Sequence, residues 1–101
     1  MQYNKLVRDK IPQIIAATGK QCQTRSLSQE QYLEKLDEKL NEELAEYQQS
    51  KSLEELADLY EVMLAVIAAR GYTPEQLEAL RLEKRENRGG FDARILLLEV
   101  T

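Results

Sequence analysis

The sequence predicts a mainly α-helical bundle, and three observations carry that prediction. Hydroxyl residues stand three places before Glu or Gln at three points: Ser28 with Gln31, Ser52 with Glu55, and Thr73 with Gln76. At that spacing the two side chains satisfy two unpaired N–H groups of a helix start reciprocally. Apolar residues recur between these starts at helical period, as in Leu33, Leu36, Leu40, Leu44 and Tyr47. Glycines then stand where helices should stop, at Gly19, Gly71 and the pair Gly89-Gly90. A chain of 101 residues supports one domain, spanning 1–101.

Taken in order, a short helix is expected over about 9–18. Pro12 belongs in its first turn, where a missing N–H costs nothing. Residues 21–27 (QCQTRSL) are the only plausible extended segment before the next helix start. Cys22 reads there as a small strand residue. Helices follow at about 29–49, 53–70 and 74–88, the last opening on Pro74 directly after Thr73. Beyond the glycine pair, residues 94–100 (RILLLEV) read as a β segment, with 21–27 as its pairing partner.

The helix over 53–70 differs from its neighbours. From Leu59 to Ala69 its only polar residue is Glu61. A helix apolar on nearly all sides must be covered on nearly all sides. Two neighbours from so short a chain would not suffice. It is therefore expected to be central and partly covered by a second subunit, in a homo-oligomer of two or four chains.

Composition removes much chemistry. There is no His and one Cys, which excludes imidazole bases, His-ligated zinc, internal disulfides and cysteine clusters. The chain holds 18 acids against 14 bases, so bulk attraction to nucleic acid is not expected. The longest uncharged apolar run, Val62–Ala69, is too short to span a bilayer. The opening MQYNKLVRDKIP has no apolar run of a signal peptide. A cytoplasmic setting is the expectation, and any catalysis should work through carboxylates or a hard metal they hold.

The acids are arranged. Glu43 and Glu46 form an i, i+3 pair before the 49–52 connection, and Glu55 and Asp58 form another after it. That spacing puts each pair on one helix face. A short connection makes the helices antiparallel, so the pairs converge. At ~5 Å and an effective dielectric of ~20, each like-charge pair repels by roughly 3 kcal/mol. Mg²⁺ or Mn²⁺ would relieve this with all-oxygen ligands. A plainer reading stands beside it: acids at i, i+3 are common in a charged chain, and Glu55 doubles as a cap partner. Glu43 and Glu46, however, lie near a helix C-terminus, where the dipole disfavours carboxylates.

At these residues the sequence resembles a known family. The run from Lys39 through Glu42-Glu43-Leu44-Ala45-Glu46, followed by Glu55-Leu56-Ala57-Asp58, is similar to the E-x-x-E…E-x-x-D signature of the all-α nucleoside triphosphate pyrophosphohydrolases. This is the MazG-like superfamily, which includes phosphoribosyl-ATP pyrophosphohydrolase. The likeness covers roughly 36–80 and runs through the Ala69-Arg70-Gly71-Tyr72 stop. The opening run from Tyr3 to Pro12 and the closing Arg88-Gly89-Gly90-Phe91 resemble a compact subgroup labelled phosphoribosyl-ATP pyrophosphohydrolase-like. Two departures matter. The spacer from Glu46 to Glu55 is short for the MazG branch. The phosphoribosyl-ATP branch carries a Tyr-His after the Asp, and this chain has no histidine.

The resemblance implies that Glu43, Glu46, Glu55 and Asp58 hold Mg²⁺ (or Mn²⁺), with hydrolysis of an α–β phosphoanhydride and release of pyrophosphate. Glu42 and Glu43 are the catalytic candidates, Glu42 as the group orienting water. A nucleotide also needs basic partners. Lys39 lies one turn before Glu43, and Lys5, Arg8 and Lys10 lie in a segment able to fold over the site. Arg81, Arg85 and Arg88 form a stripe on the last helix. Tyr47, Tyr60 and Tyr72 could stack a base, with core packing favoured for the first two. Two alternatives stay open: phosphoribosyl-ATP pyrophosphohydrolase of histidine biosynthesis, and a non-enzymatic helical interaction or regulatory module.

Overall fold

A computed structural model describes residues 4–101 of the chain. Tyr3, at the start of the opening motif, lies outside the described residues. Four helices follow one another: α1 (Ile11–Ala17), α2 (Gln29–Ser50), α3 (Leu53–Ala69) and α4 (Pro74–Arg88). The fold is mainly helical, as expected, and no described helix is long and apolar enough to cross a membrane.

Two of the three expected capping boxes are complete. Ser28 and Gln31 exchange their hydrogen bonds, as do Thr73 and Gln76. The third closes on one side only. Ser52 Oγ accepts from the Glu55 N–H at 3.3 Å, but the Ser52 N–H donates to Ser50 Oγ at 3.2 Å. A serine two residues away outcompetes the glutamate, so the Glu55 carboxylate is not spent on capping. Gly19 and Gly71 end α1 and α3 in the left-handed region, at φ 84° and 87°.

The centre of the molecule is the α2–α3 hairpin. Only Lys51 and Ser52 connect the helices. Lys51 makes the turn at φ 58°, donating its N–H to the Tyr47 carbonyl at 2.7 Å. A side chain in that conformation costs roughly 1–2 kcal/mol. The Lys51 ammonium, 5.6 Å from the centre of the Tyr47 ring, returns part of this as a cation–π contact. At the far end, Gln29 Nε2 donates to the Ala69 carbonyl at 3.0 Å, so the helices run antiparallel. Leu36 on α2 and Val62 on α3 are the buried hydrophobic residues among those described. Within the α2 stripe, Leu33, Leu40 and Tyr47 are half-buried, whereas Leu44 is exposed. α4 packs against α3 and no other helix.

The expected β segment does not form. Among the described residues there is no strand, and neither 94–100 nor 21–27 is regular structure. A strand needs a partner edge for its N–H and C=O groups, and neither segment supplies one to the other. Cys22 is accordingly an exposed residue of irregular backbone.

Candidate metal centre

The two-residue turn decides which side chains meet. It lays the last turns of α2 beside the first turns of α3. Glu43 from α2 and Glu55 and Asp58 from α3 each place a carboxylate oxygen within 4.8 Å of the other two. Glu43 is only 6% exposed. Glu43 Oε2 and Glu55 Oε2 are both buried with no hydrogen-bond partner. Buried carboxylate oxygens without partners are costly, and a ligand with positive charge or donors would satisfy them. The set of three matches the oxygen-donor chemistry of a hard divalent cation.

Glu46, expected as a fourth ligand, is exposed and lies outside that set of three. It remains close to Glu43. Burial, and then the neighbouring Glu46 carboxyl, raise the Glu43 pKa, while Lys39 pulls it down.

A basic rim surrounds the acids. Lys39 Nζ lies 3.2 Å from Glu42 Oε1 and 3.4 Å from Glu43 Oε1. Lys5 Nζ reaches the same Glu42 oxygen at 3.3 Å. Arg8 Nη2 donates to Asp58 Oδ1 at 2.7 Å. Lys5 and Arg8 thus reach the acidic hairpin from the segment before α1. Partial burial disfavours the charged form of Glu42, but Lys39 and then Lys5 outweigh it and hold its carboxyl below the usual range. Burial would lower the Lys39 pKa, yet Glu42 and Glu43 together raise it. Arg8 and Asp58 are both well exposed. Such a pair contributes at most about 1 kcal/mol, so a tighter ligand for Asp58 can displace Arg8.

Beside the acids lies a small cleft of about 160 Å³, lined by Asn4, Lys5, Leu6, Lys35, Glu38, Lys39 and Glu42. Lys35 was not singled out from the sequence. Its signal is its place one turn before Lys39 on the same helix face. Arg85 and Arg88 are not brought to the acids. Arg85 faces Asp92 at 3.8 Å, Arg81 pairs with Glu78 on its own helix, and Arg88 ends α4. Tyr60 and Tyr72 are 57% and 59% exposed, so Tyr60 is not the core residue expected. Among the described residues, nothing buries Tyr60 on that face of α3.

The raised Glu43 pKa has a consequence for stability in chelator. The folded state binds this proton more tightly than the unfolded chain, so the contribution is full below the ordinary value of 4.5. It is lost as pH rises through the folded value. Glu43→Gln removes that loss. The Tm of the variant minus that of the wild type should therefore increase between about pH 4 and pH 8. A flat difference would contradict the burial of a carboxyl with one unpartnered oxygen.

The chain is similar to an uncharacterized protein of Mycolicibacterium smegmatis (strain ATCC 700084 / mc(2)155), with 50% identity over 42 residues. The stretch covers 42% of this chain and 43% of that relative, so the chain matches less than half of the relative's length. No family model matches the chain, and no solved structure matches it significantly.

Proposed function

We propose that this protein is a Mg²⁺- or Mn²⁺-dependent nucleotide pyrophosphohydrolase that cleaves an α–β phosphoanhydride and releases pyrophosphate. The observation that carries the reading is the buried Glu43 carboxylate, with an unpartnered oxygen, facing Glu55 and Asp58 beside a cleft lined by lysines. The resemblance of the acidic signature and of both chain ends to the MazG-like pyrophosphohydrolases supports it. Glu43, Glu55 and Asp58 would hold the ion, with Glu46 in reach as a further carboxylate. A bound divalent ion supplies charge neutralisation and a more acidic water.

The remaining work falls to the chain's own groups. Glu42 accepts hydrogen bonds from Lys5 and Lys39 and stays ionised, which suits it to orient a water molecule. Lys5, Lys35 and Lys39 offer positive charge to phosphate oxygens. Arg8 joins them once Asp58 is committed to a cation. No nucleophile–base pair is needed, in keeping with a chain that has no histidine.

Two measurements test this. Pyrophosphate should be released from a member of a nucleotide panel in millimolar Mg²⁺ or Mn²⁺. Release from no nucleotide would sink the reading. The Tm should also rise with the ion. At a hundred times its dissociation constant, the ion stabilises by about 2.7 kcal/mol. In a domain this size that is about 10–20 °C. No shift with either ion would favour the interaction module, which the exposed apolar surface also suits. A phosphoribosyl-ATP substrate is the less favoured variant, because the Tyr-His of that branch is missing.

A further inference from the structure

α1 has little packing of its own to hold it. The helix has seven residues, none of them buried, and among the described residues it packs against no other helix. Helices shorter than about 12 residues are marginal without packing. Lys10, at the N-cap, makes no side-chain hydrogen bond to the helix. The first turn rests instead on Arg8, whose carbonyl accepts from the Ile11 N–H at 3.1 Å.

Residues 4–10 are irregular backbone, with Leu6 half-buried. Polar tethers join them to the hairpin. Lys35 Nζ donates to the Asn4 carbonyl at 3.4 Å, Lys5 pairs with Glu42, and Arg8 pairs with Asp58. Arg8 therefore serves two elements at once. Its backbone steadies the start of α1, and its guanidinium lies 2.7 Å from Asp58 Oδ1. Asp58 is also one of the three carboxylates that converge within 4.8 Å. A divalent cation held by those three sets two further positive charges beside the guanidinium. Like charges that close repel by more than an exposed ion pair contributes.

We propose that Arg8 is a built-in competitor of the divalent cation for Asp58, and that residues 4–17 are a latch released when Asp58 goes to the cation. The latch rests on the metal reading of the acidic gap and regulates that same site. The coupling is reciprocal: the factor by which Arg8 weakens the cation is the factor by which the cation loosens α1. An anion that draws Arg8 and Lys5 to its own oxygens removes the competitor, so cation and phosphate-bearing anion bind better together than singly.

Calorimetric titration of the full chain with Mn²⁺ at low salt reads the competition. Arg8 is exposed, so its replacement leaves the hairpin core intact. An exposed ion pair shifts an equilibrium by up to about fivefold, so Arg8→Gln should bind Mn²⁺ about two- to fivefold more tightly than wild type. High salt should shrink that gain, because it screens exposed pairs. Lys10→Gln removes the same charge from the same segment without touching Asp58, and should change the affinity far less. Hydrogen exchange supplies a second readout. Mn²⁺ should speed exchange of the 14–17 amides of the wild type by the same factor. In Arg8→Gln those amides should already exchange fast in chelator and respond little to the ion. Equal or weaker binding by Arg8→Gln, or exchange in 14–17 that ignores a bound ion, would overturn the latch and leave the metal reading standing. No binding to either chain in millimolar Mn²⁺ would overturn both.

Discussion

Asp58→Asn should lower pyrophosphate release by about a hundredfold or more while the helices stay folded. Loss of a group that merely orients a metal ligand typically costs 10–100-fold, and a direct ligand should cost at least the upper end. The substitution keeps the size of the side chain and removes one of three converging charges. Its structural cost is small, because the ion pair it breaks, to Arg8, joins two exposed groups. Relief of repulsion from Glu43 and Glu55 acts the other way, so the Tm in chelator should hold or increase. The rise in Tm with Mg²⁺ should shrink in the same variant. Full activity in Asp58→Asn would remove Asp58 from the site. Loss of activity together with loss of helicity would show a role in folding instead.

The largest expected effect on stability is at Leu36, which is 2% exposed in the α2–α3 hairpin. Leu36→Ala should cost about 2–5 kcal/mol, from lost apolar burial plus the cavity left behind. At about 4–8 °C per kcal/mol for a domain of this size, the Tm falls by about 8–40 °C. Few other buried side chains are present to absorb the loss. Leu44 belongs to the same stripe but is 43% exposed, and its replacement by Ala should cost about 1 kcal/mol or less. Thermal melts of the two variants side by side check the contrast. Equal losses would mean that the hairpin core is placed wrongly.

That contrast shows what could be read from the sequence and what could not. Helical period and hydroxyl caps placed all four helices to within about two residues, because both act within one turn of chain. The i, i+3 spacing and the short connection also put Glu43 among the converging acids, where it stands with Glu55 and Asp58. The stripe could not separate Leu36 from Leu44, since burial depends on what the facing helix covers. Glu55 was readable as a cap partner, yet Ser50 took that hydrogen bond, a competition between neighbours that spacing does not reveal. The reading of 94–100 as a strand followed β propensity. Propensity describes a residue in a sheet and cannot create the missing edge. Arg85 faces Asp92 and not the acids of the hairpin, a placement that the spacing of the arginine stripe does not reveal.

The turn at Lys51 and Ser52 divides the candidate site into a fixed part and an adjustable one. With two connecting residues, the helices cannot slide or rotate independently, so the gap between Glu43, Glu55 and Asp58 is set by the backbone. The lysines and Arg8, by contrast, sit on long side chains and on a segment tethered by exposed ion pairs. Under the proposed function, change in substrate preference over evolution would therefore accumulate on the basic rim, at residues such as Lys5, Arg8 and Lys35, while the acidic gap stays constant.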